Sequence, residues 1–190
     1  MNTNFSIFPV LETVRLNLRR LSFSDAQAIY QLRSDPKVAR LTGKEPFTSI
    51  NDAIAYIQKI ERLFKEHACV FWAISYKGES ALIGAICFWN YDVDNSSLEI
   101  GYELLPEFQK KGIMAEGLAA VINFGFEKME ADMITAFPSA HNPASVKILE
   151  KLNFRLIPKT FQHTHENVER MLTYVLNNFV QEQQGIIGEQ

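Results

Sequence analysis

Cysteine is scarce in this 190-residue chain, which has only Cys69 and Cys87, both in apolar, strand-like surroundings where a thiol behaves as a small hydrophobe. Neither a disulfide framework nor a thiolate metal site is expected. Long apolar runs are missing too: none approaches the ~18 residues that a membrane span needs. Met1-Asn-Thr-Asn lacks the basic and apolar regions of a secretion signal. These absences predict a cytoplasmic, reducing setting with no membrane partner. Positive charge is also in short supply. The net charge is −3 and the isoelectric point is near 5.8, with Lys and Arg scattered along the chain, which argues against direct nucleic-acid binding. What the chain does have is 47% hydrophobic residues, enough for a substantial core, and no shift of composition that would divide it. Residues 1–178 read as one domain and residues 179–190 as a polar tail.

The first third reads strand, helix, helix. Val14 to Leu21 alternates apolar and polar residues, the period of a half-buried strand. Ser22-Phe-Ser24-Asp25 supplies capping residues for a helix over Ala26 to Arg33 that stops near Asp35-Pro36, with a looser helical turn around Val38 to Leu41. Ser49 to Asp52 caps a longer helix to about Glu66, with Ala53, Ile57, Ile60 and Phe64 on one face. The period then changes. Cys69 to Tyr76 and Ala81 to Tyr91 flank the turn Lys77-Gly78-Glu79 as a hairpin, and Asp92 to Ser97 turns the chain into a strand over Leu98 to Leu105.

The most informative stretch follows that strand. Gln109-Lys-Lys-Gly112 opens an amphipathic helix carrying Met114, Leu118, Val121, Ile122, Gly125 and Met129 at helical spacing. A glycine turn at a helix N-terminus gathers unpaired N–H groups and the positive end of the helix dipole, and Lys110 and Lys111 add charge, so a phosphate-bearing ligand is expected there. Downstream, Met133 to Phe137 is a short strand, and Asn142-Pro143 starts a helix with Asn as cap and Pro at its first position. Ile148, Leu149 and Leu152 form that helix's buried stripe, and Asn153 sits where a left-handed cap is expected. Phe154 to Phe161 and Arg170 to Leu176 close the order as an antiparallel pair.

This order resembles the GNAT superfamily of acyl-CoA-dependent N-acetyltransferases, and most closely its RimJ/RimL branch. The motifs that carry the likeness are Leu11-Glu-Thr-Val-Arg-Leu-Asn-Leu-Arg19, Leu82-Ile-Gly84, Leu98-Glu-Ile-Gly-Tyr102, Gln109 to Glu116, and Asn142-Pro-Ala-Ser145 with Leu149 to Phe154. The resemblance implies an α/β fold of the α+β kind. It would have a mixed, mostly antiparallel sheet of about seven strands flanked by helices, in the order β-α-α-β-β-β-α-β-α-β-β. It also implies acetyl-CoA as co-substrate and no metal. Its pyrophosphate would lie on the backbone amides of Gln109, Lys110, Lys111, Gly112, Ile113 and Met114, its pantetheine arm along Tyr102, Leu104 and Leu105, and Asn142 would touch that arm. Met114 departs from the small residue usual there, which the loop tolerates if the thioether turns into the core.

Acetyl transfer needs an uncharged amine, a donor to the oxyanion and a neutralised thiolate. The resemblance implies Glu99 as the base. Many members carry a tyrosine acid seven residues after the motif asparagine; here that position is Leu149, which leaves Ser145 or a water to protonate the thiolate. An α-amine, with a pKa near ~8, is neutral far more often at pH 7 than a lysine near ~10.4, so modest base machinery leans toward protein N-termini. A small amine such as an amino acid, polyamine or aminoglycoside is the alternative acceptor, and a catalytically silent acyl-CoA-binding module is a third reading. His163-Thr-His165-Glu166 fits no common zinc spacing and is expected to shape the amine pocket, with Phe88, Trp89 and Tyr91 as further candidates. The sequence leaves monomer and homodimer equally open.

Overall fold

Val70, Trp72 and Ile74 belong to one buried cluster and Cys69, Phe71 and Ala73 to another, so the strand between them is covered on both faces. That explains why this part of the sequence is almost continuously apolar instead of alternating. The computed structural model describes residues 1–158 and 170–178. The strands are β1 (Leu11–Glu12), β2 (Leu16–Arg20), β3 (Val70–Tyr76), β4 (Gly84–Asp92), β5 (Ser97–Leu104), β6 (Met133–Ala136), β7 (Arg155–Ile157) and β8 (Thr173–Asn177). The helices are α1 (Ala26–Ser34), α2 (Pro36–Thr42), α3 (Ile50–Lys65), α4 (Ile113–Glu127) and α5 (Pro143–Lys151). They surround one eight-stranded sheet in the order β1-β2-β3-β4-β5-β6-β8-β7. Only β5 and β6 run parallel; every other neighbouring pair is antiparallel.

The expected α+β architecture is therefore present, with differences that have local causes. An eighth strand, the two-residue β1, precedes the expected first one, which begins at Leu16 because Thr13 to Arg15 form a turn that leaves Val14 90% exposed. The looser turn near Val38 is a full helix. Asp35, held extended before Pro36, caps it by accepting from the N–H groups of Lys37 and Val38 at 2.7 and 3.3 Å, and Gly43 ends it at φ 64°. In the hairpin, β4 begins at Gly84 and not at Ala81, although Ile83 still donates to the Ile74 carbonyl. The expected left-handed cap at Asn153 is present at φ 65°. Residues 159–161 of the expected Phe154 to Phe161 strand, the His163 to Glu166 segment and residues 179–190 lie outside the described residues.

Helix α4 packs on the side of the sheet that buries Trp72, Ile86 and Phe88, while α1 and α3 cover the opposite side. A Cβ at Gly125 would lie 2.8 Å from the Phe88 ring. The glycine lowers helix propensity by ~1 kcal/mol and in return lets α4 sit close against the sheet. At the entrance to α1, Asp25 is 4% exposed and accepts from Ser22 N–H and from both terminal nitrogens of Arg19, at 2.9, 2.9 and 2.7 Å.

Burial pushes the Asp25 carboxyl up, but the Arg19 and Ser22 hydrogen bonds outweigh it and hold it below its ordinary value. Its stabilising contribution is then complete above an unfolded pKa of ~3.9 and is lost as pH falls through the lower native value. Asp25→Ala, which strands Arg19, should lower the unfolding free energy by about 3 kcal/mol at pH 7. Urea titrations at pH 7 and pH 2.5 check this: the deficit should shrink at the lower pH.

Candidate active site

The parallel pairing of β5 with β6 covers Ser97–Met133, Leu98–Ile134 and Glu99–Thr135 and goes no further. Beyond Glu99, β5 stays bonded to β4 as far as Leu104, while β6 continues against β8 at Ala136. The two strands part, and a cavity of about 190 Å³ opens where they do, lined by Glu99, Tyr102, Ala136, Pro138, Asn142 and Ser145 among others.

Strand alternation sorts the β5 side chains onto two faces. Glu99 and Glu103 stand opposite Trp89 and Ala85, on the α1–α3 face, whereas Tyr102 stands opposite Ile86, on the α4 face. Glu99 is 5% exposed and accepts a 2.8 Å hydrogen bond from the Asn90 amide. Asn90 reaches it from a bulge in β4, where its φ is 45°, a conformation asparagine tolerates. A solvated strand glutamate would look different. Tyr102 Oη lies 2.6 Å from Ser145 Oγ, joining β5 to the first turn of α5. Burial pushes the Tyr102 phenol up to about 12, opposed by the Ser145 bond, so it carries its proton at neutral pH. Asn142 caps α5 through a 3.1 Å bond from Ser145 N–H to its Oδ1, and Leu149 is fully buried. The structure thus brings Glu99, Tyr102, Asn142 and Ser145 to one cavity, with a phenol supplied from β5 where α5 has Leu149.

The Gln109–Met114 loop lies at the far end of β5, after a 3-10 turn over Pro106–Phe108. Gly112 takes φ 74°, open only to glycine without strain, and is followed by the first turn of α4, whose N–H groups have no acceptor within the helix. Lys110 is also left-handed, at φ 61°. Ile113 and Met114 are 1% and 8% exposed and belong to the core, so the Met114 thioether does turn inward. The Gln109 side-chain amide donates to the Leu104 carbonyl at 3.1 Å. Leu105 gives its N–H to Ile83 and receives Phe108 N–H on its carbonyl, so its backbone is already engaged by the fold.

A carboxylate that the sequence reading passed over fixes this loop. Glu116, in the first turn of α4, accepts from Thr13 Oγ1, Arg15 N–H and Arg15 Nε at 2.6, 2.8 and 2.6 Å, and Arg15 also reaches the Lys111 carbonyl at 3.1 Å. On the α1–α3 face, Arg33 was likewise missed. Its side chain, 10% exposed, donates to Glu103 at 2.6 and 3.0 Å and lies 3.9 Å from the Tyr56 ring centroid. Burial opposes the guanidinium's charge, yet the neighbouring Glu103 carboxylate more than offsets it and raises the pKa. Trp89 lines the same cavity, while Phe88 is wholly in the core and Tyr91 packs against it. Among the described residues no group of His, Cys, Asp and Glu could hold a metal, and no helix is long and apolar enough to cross a membrane.

A sheet with two parting strands, a glycine turn at a helix N-terminus beyond the gap and a buried carboxylate within it are the marks of an acyl-CoA-dependent N-acetyltransferase. The chain belongs to the acetyltransferase (GNAT) domain family, whose model matches residues 15–155, and it is an N-acetyltransferase that uses acetyl-CoA. It is 34% identical over 161 residues to the uncharacterized N-acetyltransferase YoaA of Bacillus subtilis (strain 168), covering 85% of this chain and 91% of that one. The fold is shared with RimL, a ribosomal L7/L12 alpha-N-protein acetyltransferase solved with coenzyme A (TM-score 0.73, 20% identity, 90% and 98% of the two chains). It is shared equally with a Vibrio cholerae spermidine N-acetyltransferase solved with CoA and spermine (TM-score 0.72, 18% identity, 85% and 95%).

Arg33 and Glu103 are nine-tenths buried, so removing one partner leaves a buried charge unpaired. Glu103→Ala should cost about 3 kcal/mol of stability, and Arg33→Met/Glu103→Leu should recover most of it. Chemical denaturation of both variants checks this; a loss below about 1 kcal/mol for Glu103→Ala would mark the pair as no stronger than an exposed one.

Proposed function

We propose that the protein transfers the acetyl group of acetyl-CoA directly to a protein N-terminal α-amine held in the cavity with the thioester. The observation that carries this reading is the position of Glu99, buried where β5 and β6 part, with the Tyr102–Ser145 pair reaching the same cavity from the opposite face of the sheet. Amine and thioester then approach from different sides and meet in the gap. Direct attack is favoured because Cys87, the thiol on β5's neighbour strand that lines the cavity, is pushed up to about 12 by burial and stays a poor nucleophile. The free thiols of Cys69 and Cys87 also suit a reducing cytoplasm.

In this mechanism Glu99 takes the proton released as the nitrogen attacks. Ser145 passes its proton to the departing thiolate in place of a phenol at Leu149 and is reprotonated in the same step by the hydrogen-bonded Tyr102 phenol, which recovers its proton from water. Backbone groups of Tyr102 and Leu104 and the Asn142 side chain hold the pantetheine arm; Leu105, whose N–H and carbonyl are occupied, drops out of that set. The amides of Lys110 to Met114, with the Lys110 and Lys111 side chains, hold the pyrophosphate; Gln109, whose N–H is given to the Pro106 carbonyl at 3.2 Å, drops out for the same reason as Leu105. The α-amine is preferred over lysine because a single carboxylate base suits a group already partly neutral at pH 7. The fold likeness to an alpha-N-protein acetyltransferase supports this, while the likeness to a spermidine enzyme supports a small amine as the second reading.

A panel of peptide N-termini, amino acids and polyamines assayed for CoA release decides among these, and binding of acetyl-CoA with turnover on no amine would favour a silent binding module. Glu99→Gln should lower kcat by about a hundredfold in the same assay. Ser145→Ala and Tyr102→Phe should each lower kcat with a smaller change in the acetyl-CoA KM. Gly112→Val forces a β-branched residue into a left-handed conformation and should abolish acetyl-CoA binding measured by calorimetry; unchanged affinity would sink the loop assignment.

A further inference from the structure

Among the described residues, the α1–α3 face of the cavity carries more cations than carboxylates. Arg33, Lys44 and Lys59 line it together with Glu99 and Glu103. Arg33 is committed to Glu103 by two hydrogen bonds, and Glu99 is the carboxylate assigned to the amine. Among the described residues Lys44 and Lys59 have no carboxylate in ion-pair range. Lys44 follows directly on Gly43, the left-handed residue that ends α2, and its Nζ sits 5.2 Å from the Trp89 ring centroid. Trp89 is the cross-strand partner of Glu99. Such partners stand about 5 Å apart on one face of a sheet, so Trp89 joins Glu99 to Lys44 along the wall of one cavity.

We propose that Lys44, backed by Lys59, forms an anion subsite in the acceptor pocket and selects amines that bear a carboxylate on the same or the next residue. The anion is either an acidic side chain near a peptide N-terminus or the α-carboxylate of a free amino acid. The inference rests on the reading of this cavity as the acceptor site. Desolvation of the ammonium beside the cavity and the neighbouring Arg33 charge lower the Lys44 pKa, opposed in part by the Glu103 carboxylate, although the residue as a whole is exposed; an incoming carboxylate relieves that penalty. A polyamine meets the reverse situation, since its second ammonium lies against Lys44.

The test compares kcat/KM for Ser-Asp, Ser-Asn and Ser-Lys peptides of otherwise identical sequence, and for serine against serinamide. A charge-assisted contact should favour Ser-Asp over Ser-Asn by about ten- to thirtyfold, with Ser-Lys poorest. Lys44→Glu should invert the Asp-to-Lys ratio, and Lys44→Arg should keep it, which a purely structural role for Lys44 would not produce. Serine surpassing serinamide assigns the subsite to an α-carboxylate; equal rates for those two, with Ser-Asp still preferred, assign it to an acidic side chain. Equal kcat/KM across all five acceptors overturns the anion subsite while leaving the acceptor cavity standing. Turnover of none of them by wild-type enzyme that binds acetyl-CoA overturns both.

Discussion

Two neighbouring strands that run parallel for three paired residues and then separate impose the geometry on which everything else in this protein depends. Parallel strands are normally buried in the middle of a sheet with every backbone group satisfied. Here β5 keeps its bonds to β4 while losing β6, and β6 keeps its bonds to β8 while losing β5. Each strand is therefore held by its other neighbour, and the gap between them is a fixed part of the fold. Because side chains alternate along β5, the gap receives a carboxylate from one face and a hydroxyl pair from the other.

The surroundings keep this arrangement rigid by different means on the two sides. Towards α4 the contact is apolar and tight, with glycine at the point where the helix meets Phe88. Towards α1 and α3 it is partly ionic: Arg33 is clamped between the Tyr56 ring and Glu103. A buried pair of this kind adds little net stability compared with an apolar contact, but it tolerates few alternative positions. It forms a wall of the pocket in which an acceptor would lie, and there a fixed position matters more than a large energy.

The order of elements was legible in the sequence because it is written in local periods and caps: the alternation before Leu21, the Asn142-Pro143 helix start, the left-handed Asn153. The glycine turn before α4 was legible for the same reason, since glycine, helix and lysines follow one another within a few residues. The short β1 carries no period, having only two residues. The contacts that assemble the site were not legible. Tyr102 and Ser145 lie 43 residues apart, Arg33 and Glu103 70, and Arg15 and Glu116 101. Each joins ordinary residue types with no local pattern to announce the partner. Glu99 shows the limit from the other direction: its place on a strand could be read, whereas its burial under Asn90 depends on a bulge in the neighbouring strand.

Glu116 holds the turn before β2 with one carboxylate, and through Arg15 it also steadies the Lys111 carbonyl. The edge of the sheet and the mouth of the glycine loop thus share a single fastening. Any change at Thr13, Arg15 or Glu116 is felt at both, so the effects of combined changes among them will not sum. A substitution at any one of the three therefore acts on the strand edge and on the loop together, although the two are far apart in the chain.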